Sequence, residues 1–263
     1  MATAINREPR AVTSPFDLSG KTAIVTGANT GLGQGIAVAL AEAGARVVGV
    51  GRSPMDETAK KVAAIGGTFH AIKADLSSTA PLQGIVDETV ALAGQADILV
   101  NNAGIIRRAD PLDFTEQDWD DVMNVNLKSL FFLSQAFARH VVARGGGGKI
   151  VNVASVLSFQ GGIRIPPYTA SKHGVAGITR LLANEWAAKG INVNAIAPGY
   201  CTTNNTRAIQ DDPDRNAAIL ARIPAGRWGS PEDMGGAAVF LASRAADYCH
   251  GTILVVDGGW LAR

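Results

Sequence analysis

Seven short runs rich in β-branched residues alternate with six longer stretches of helical periodicity along this 263-residue chain, and no other feature narrows the fold as far. The strand-length runs are Thr22–Thr26, Arg46–Val50, Thr68–Ala74, Asp97–Asn101, Lys149–Ala154, Asn192–Ala197 and Thr252–Val256. Between them lie Gly31–Ala43, Met55–Ile65, Ala80–Ala93, Thr115–Ala143, Tyr168–Ala188 and Pro231–Ala242. Such alternation is the pattern of a parallel sheet with crossover helices. It predicts a single α/β domain: a doubly wound, seven-stranded parallel sheet with helices on both faces. A hydrophobic content of 47% against 18% charged residues suits a sheet covered on both sides. Right-handed crossovers put every strand's carboxyl end at one edge, where ligands bind.

The domain is expected over residues 17–263, after a loose tail of residues 1–16. That tail has no apolar core of signal-peptide length. Residues 198–228 break the rhythm with Asn204-Asn205 and two proline-bounded helical fragments. A connection of that length is usually functional or disordered, and its place after a strand's carboxyl end favours a lid. Gly145–Gly148 precedes a strand instead of following one, so it reads as a helix-to-strand connection and not as a phosphate loop.

The first strand runs straight into Gly27-Ala28-Asn29-Thr30-Gly31-Leu32-Gly33, and Gly31 and Gly33 open a helix. Glycines there permit a tight turn and let backbone N–H groups approach a pyrophosphate at the helix's positive end. The carboxylate expected about 20 residues on, to hold the adenosine ribose, is missing. Gly51 stands in its place with Arg52 beside it. Arg52 could take a 2′-phosphate or only cover the adenine face, so NAD is the expected cofactor with NADP not excluded. Asp75-Leu76 ends the third strand, where the acid either meets the adenine amino group or caps a turn. Asn101-Asn102-Ala103-Gly104 ends the fourth, where paired amides tie loops together or line the ribose region.

Tyr168 and Lys172 lie four apart on one helix face, and Ser155 follows the fifth strand. A phenol beside an ammonium can serve as acid and base, and its ordinary pKa near 10 is expected to fall by about 3 units in a dry cleft under the ammonium together with the positive ring of an oxidised nicotinamide. Ser155 can donate to a substrate oxygen. Asn126, among apolar neighbours in the fourth helical stretch, must find partners: a backbone carbonyl, or a water linking Lys172 to solvent.

A net charge of +1 with no basic stripe argues against nucleic acid. No run reaches membrane length. Cys201 and Cys249 cannot form a disulfide framework, and no metal spacing is present. A cytoplasmic location is expected.

Together the glycine turn, Asn101–Gly104, Asn126, Ser155, Tyr168–Lys172 and Pro198-Gly199 make the chain resemble the short-chain dehydrogenase/reductase family from residue 16 to 263. The resemblance implies a catalytic tetrad of Asn126, Ser155, Tyr168 and Lys172, and usually a homotetramer. It implies that Gly27, Asn29, Thr30, Gly31, Leu32, Gly33, Asn102, Ala103, Gly104, Pro198 and Gly199 hold NAD(P). A narrower likeness lies in Ile106-Arg107-Arg108, Leu157–Arg164, Thr203–Thr206, Arg222–Gly229 and Val256–Arg263. It is to members acting on deoxy-keto sugar acids and implies NAD. Such a substrate needs a cation for its carboxylate, and Arg107 and Arg164 are the candidates, with Gln160, Asn204 and Asn205 for its hydroxyls. Rival readings are a 3-oxoacyl-thioester reductase of the same family and a non-catalytic dinucleotide sensor. Ala138, Ala176 and Gly177 are small enough to support helix pairing between subunits.

Overall fold

The computed structural model describes residues 14–263. Most of the expected tail therefore lies outside the described residues. Seven strands form one all-parallel sheet: β1 Thr22–Thr26, β2 Arg46–Gly51, β3 Phe69–Lys73, β4 Ile98–Asn101, β5 Gly148–Val153, β6 Ile191–Pro198 and β7 Ile253–Val256. Their order across the sheet is β3-β2-β1-β4-β5-β6-β7. Chain direction across the sheet thus reverses between β1 and β4, which opens a crevice at their carboxyl ends. The helices are α1 Gly31–Glu42, α2 Asp56–Ala64, α3 Leu82–Ala93, α4 Glu116–Met123, α5 Ser129–Arg144, α6 Pro166–Trp186, α7 Arg207–Gln210, α8 Pro213–Arg222 and α9 Gly235–Ala242.

Successive β1 side chains serve opposite faces, as a period of two demands. Ala23 and Val25 join the core beneath α1 and α9, whereas Ile24 joins that of α3 and α5. Each fully buried aliphatic side chain contributes roughly 1.5–3 kcal/mol, so this double coverage fixes the strands' faces.

The stretch predicted as one helix over Thr115–Ala143 is broken. A single π-helical turn, Asn124–Lys128, joins α4 to α5 and carries Asn126. Ala138 of α5 and Ala176 of α6 are buried in the chain's own core, so neither is free to pair with another subunit. Gly177 is exposed, and Phe132, Val142 and Leu181 are the exposed large apolar side chains on these two helices.

A buried polar chain sets the sheet against the helices at the site. The Asn101 amide donates to Ser134 Oγ of α5 and to Asn152 Oδ1 of β5, each at 2.9 Å. Asn152 Nδ2 in turn donates to Thr179 Oγ1 of α6 at 3.0 Å. In a low-dielectric interior such a chain is costly to break, so it holds the end of β5 and the middle of α6 at a set distance. No described helix is long and apolar enough to cross a membrane.

Candidate active site

The glycine turn is built by close contact. A Cβ on Gly33 would lie 2.1 Å from the Gly27 carbonyl oxygen and 2.4 Å from Asn102 Nδ2. Only glycine fits there. Asn102 Nδ2 donates to the Thr26 carbonyl at 2.8 Å, and Thr26 Oγ1 accepts from the N–H groups of Asn102 and Ala103, both at 3.0 Å. Asn102 therefore ties β1 to β4 across the crevice.

Helix α1 begins at Thr30 without a side-chain cap and with no acid in its first turn. Its free N–H groups and dipole face a cavity of about 330 Å³ lined by Gly27, Asn29, Thr30, Gly31, Leu32, Gly33, Asn102, Ala103, Gly104, Pro198, Gly199 and Asn204. A second cavity of about 160 Å³ shares Gly27, Asn29, Ala103 and Gly104 and reaches Arg52, Asp75 and Leu76. The two adjoining hollows, an uncapped helix start and a glycine-rich turn fit an extended dinucleotide. Asp75 accepts from the Ser77 N–H at 2.9 Å, which is the turn arrangement, and lies 4.0 Å from Arg52.

Ser155, Tyr168 and Lys172 line the same cavity. Ser155 stands just beyond β5, and its Oγ accepts from Leu157 N–H at 3.1 Å while hydrogen-bonding the Tyr168 phenol. Tyr168 and Lys172 occupy the first two turns of α6, and Ser158 Oγ donates to the Lys172 carbonyl at 2.6 Å, locking loop to helix. Lys172 Nζ donates to the Val153 carbonyl at 2.6 Å and sits 5.5 Å from the Tyr168 ring centre.

The protein's own groups do not lower the phenol pKa. Burial pushes Tyr168 up to about 12, against the opposing pull of Ser155 and of the Arg108 charge. Burial also pushes Lys172 down to about 8. Desolvation outweighs both the Ser155 hydrogen bond and the Arg108 charge.

Asn126 does not line these cavities. Its Oδ1 accepts from Ile105 N–H at 2.8 Å, and Nδ2 donates to the Ile105 carbonyl at 3.0 Å and to Ser171 Oγ at 3.3 Å. Both amide hydrogens are used by protein, so Asn126 ties the Ile105 backbone to α6.

Beyond Tyr168 opens a larger cavity of about 660 Å³, lined by Gln160, Arg164 and Asn205 as expected, and also by Arg108, Arg215, Arg222 and Trp260. Arg107 is not in it, which corrects its expected role: it pairs with Asp118 at 3.2 Å and Asp121 at 3.1 Å on α4. Its neighbour Arg108 turns inward instead and donates to the Asn205 carbonyl at 2.7 Å. Arg164 is the sole non-glycine with positive φ among the described residues, at 61°, and its carbonyl accepts from Ala109 N–H. Four guanidiniums thus line a cavity that contains no carboxylate. Arg215 and Arg222 were missed by sequence reasoning, although their spacing of seven on a proline-started helix was there to be read.

Comparison with known proteins follows the same lines. A family model described as Enoyl-(Acyl carrier protein) reductase matches residues 27–261. The chain is 59% identical to 2-dehydro-3-deoxy-D-gluconate 5-dehydrogenase of Escherichia coli, over 96% of this chain and 100% of that protein. Against the enzyme of the same name from Bacillus subtilis it is 58% identical, over 94% and 97%. Among solved structures, a candidate 2-deoxy-D-gluconate 3-dehydrogenase from Agrobacterium tumefaciens with bound NADP is 63% identical, with a TM-score of 0.90 over 95% of this chain and 100% of that one.

Proposed function

This chain belongs to the short-chain dehydrogenase/reductase family, and from that premise we propose that it is an NAD(P)-dependent oxidoreductase of deoxy-keto sugar acids, of the 2-dehydro-3-deoxy-D-gluconate type. The observation that carries the substrate class is the cavity beside Tyr168, with four arginines and no acid in its lining. A carboxylate entering it gains charge-assisted hydrogen bonds for which no carboxylate of the lining competes.

When bound, the nicotinamide supplies the hydride donor or acceptor, and its oxidised ring adds a positive charge that favours the phenolate. In ketone reduction Tyr168 gives its proton to the substrate oxygen, and in alcohol oxidation it takes that proton back. Ser155 holds the same oxygen against the phenol. Lys172 donates to the cofactor's ribose, and Asn126 acts behind it by holding the Ile105 backbone to α6. Arg108, close enough to act on Tyr168, anchors the carboxylate together with Arg164. Gln160, Asn204 and Asn205 read hydroxyls. The segment 198–228, with α7 and α8, forms the lid, and Tyr168, Lys172, Pro198 and Gly199 meet the nicotinamide end. We also propose a homotetramer acting in the cytoplasm, in line with the exposed Phe132 and Leu181.

The test is a panel of keto-deoxygluconates, gluconates and a long-chain 3-oxoacyl thioester assayed with NADH and NADPH. Turnover is expected with the sugar acids and at least about 100-fold lower kcat/KM with the thioester. Equal turnover of both classes, or none of the sugar acids, overturns the reading.

NADP is proposed to bind alongside NAD. No carboxylate ends β2, a Cβ on Gly51 would meet only Asn29 Oδ1, at 3.6 Å, and Arg52 is exposed at the cavity mouth. Arg52→Ala is expected to raise KM for NADP about tenfold or more, the worth of one charged hydrogen bond, and to leave KM for NAD within about threefold. Equal changes for both cofactors count against an Arg52 phosphate contact.

A further inference from the structure

We infer that the cavity beyond Tyr168 binds hydroxylated dicarboxylates, open-chain sugar acids with a carboxylate at each end, more tightly than monocarboxylates of equal length. The inference rests on the sugar-acid reading above and extends it to the far end of the same cavity.

The arginines form two groups. Arg108 sits at the inner end, where it acts on Tyr168, and its own proton is loosened by burial and by the charge of Arg215. No carboxylate opposes that repulsion. At the outer end the Arg222 guanidinium lies 3.9 Å from the Trp260 ring centre and donates to Gln160 Oε1 at 3.4 Å. Arg263 secures this end of α8 by donating to the Ala221 carbonyl at 2.6 Å and the Arg222 carbonyl at 3.3 Å. Trp260 itself is buried with an indole N–H that has no acceptor among the described residues.

Arg215 and Arg222 both belong to α8 and are seven residues apart, so they share a face about 10 Å apart along the axis. A six-carbon chain spans roughly 6 Å between its terminal carbons, given C–C bonds near 1.5 Å. With a hydrogen bond at each end it bridges the two groups. A monocarboxylate answers one group and leaves the other without an anion. The dianion answers both, and its hydroxyls fall between Gln160 and Asn205.

Calorimetric titration of the full-length protein, saturated with cofactor, with sodium D-glucarate and sodium D-gluconate reads this without turnover. Wild type is expected to bind glucarate at least about tenfold more tightly. Arg222→Gln is expected to bring the two within about twofold, while Arg222→Lys, which keeps the charge, retains most of the difference. Equal affinities in wild type, or an undiminished glucarate preference in Arg222→Gln, overturn the inference. Turnover of keto-deoxygluconates alongside equal affinities would leave the sugar-acid reading standing, so the two failures are distinguishable.

Discussion

Replacing Tyr168 by Phe is expected to lower kcat for ketone reduction at least about 100-fold while cofactor affinity stays within about threefold, the usual worth of a positioned general acid. The substitution keeps the ring, which packs against the apolar cluster that contains Val156, Leu157, Ile165 and Trp260, and removes only the hydroxyl. Ser155 Oγ still accepts from Leu157 N–H, so the fold loses about 1 kcal/mol at most. Burial pushes the phenol up to about 12, so at neutral pH the site is loaded with the proton that reduction consumes. Oxidation needs that proton gone, so its rate in wild type rises toward alkaline pH, and the bound oxidised cofactor moves the rise to lower pH. In the Phe variant this limb disappears. Turnover within about threefold of wild type, or an unchanged pH profile, would remove Tyr168 from the chemistry.

Much of this arrangement was legible because alternation and period are local signals. The seven strands fall within a residue or two of their expected bounds, and Ser155, Tyr168 and Lys172 line one cavity as their places at strand end and helix start imply. What was not legible depends on neighbours distant in sequence. Apolar spacing cannot reveal the extra residue of the π turn at Asn124–Lys128, which shifts phase by one position without ending the helix. The choice between Arg107 and Arg108 is decided by Asp118 and Asp121, three apart on α4, which hold the first and leave the second for the cavity. Arg215 and Arg222 read as the solvated face of a short helix until α8 folds over the site. The phenol's pKa follows from desolvation, a property of the finished fold, and spacing to Lys172 pointed the wrong way.

Lys172→Met is expected to cost at least about 100-fold in kcat/KM, more in oxidation than in reduction, with little loss of stability at pH 7. Lys172 is only 5% exposed, and burial holds its pKa near 8 against an ordinary value of 10.5. Below pH 8 the folded and unfolded chains both carry the proton, and the full cost of burying the charge, about 3 kcal/mol, is present. Between pH 8 and 10.5 the folded chain has released it and the unfolded chain has not, so wild-type stability gains from this group as pH rises. Against that cost stands the donation to the Val153 carbonyl, about 1.5–3 kcal/mol for a charged donor, which Met forfeits. The two nearly cancel at pH 7, which separates the catalytic loss from any folding defect. Urea unfolding at pH 7 and pH 10 should therefore find the variant close to wild type at the first and less stable at the second. Activity above about a tenth of wild type would deny Lys172 its part in holding the cofactor, and an identical stability difference at the two pH values would mean the buried amine does not titrate in this window.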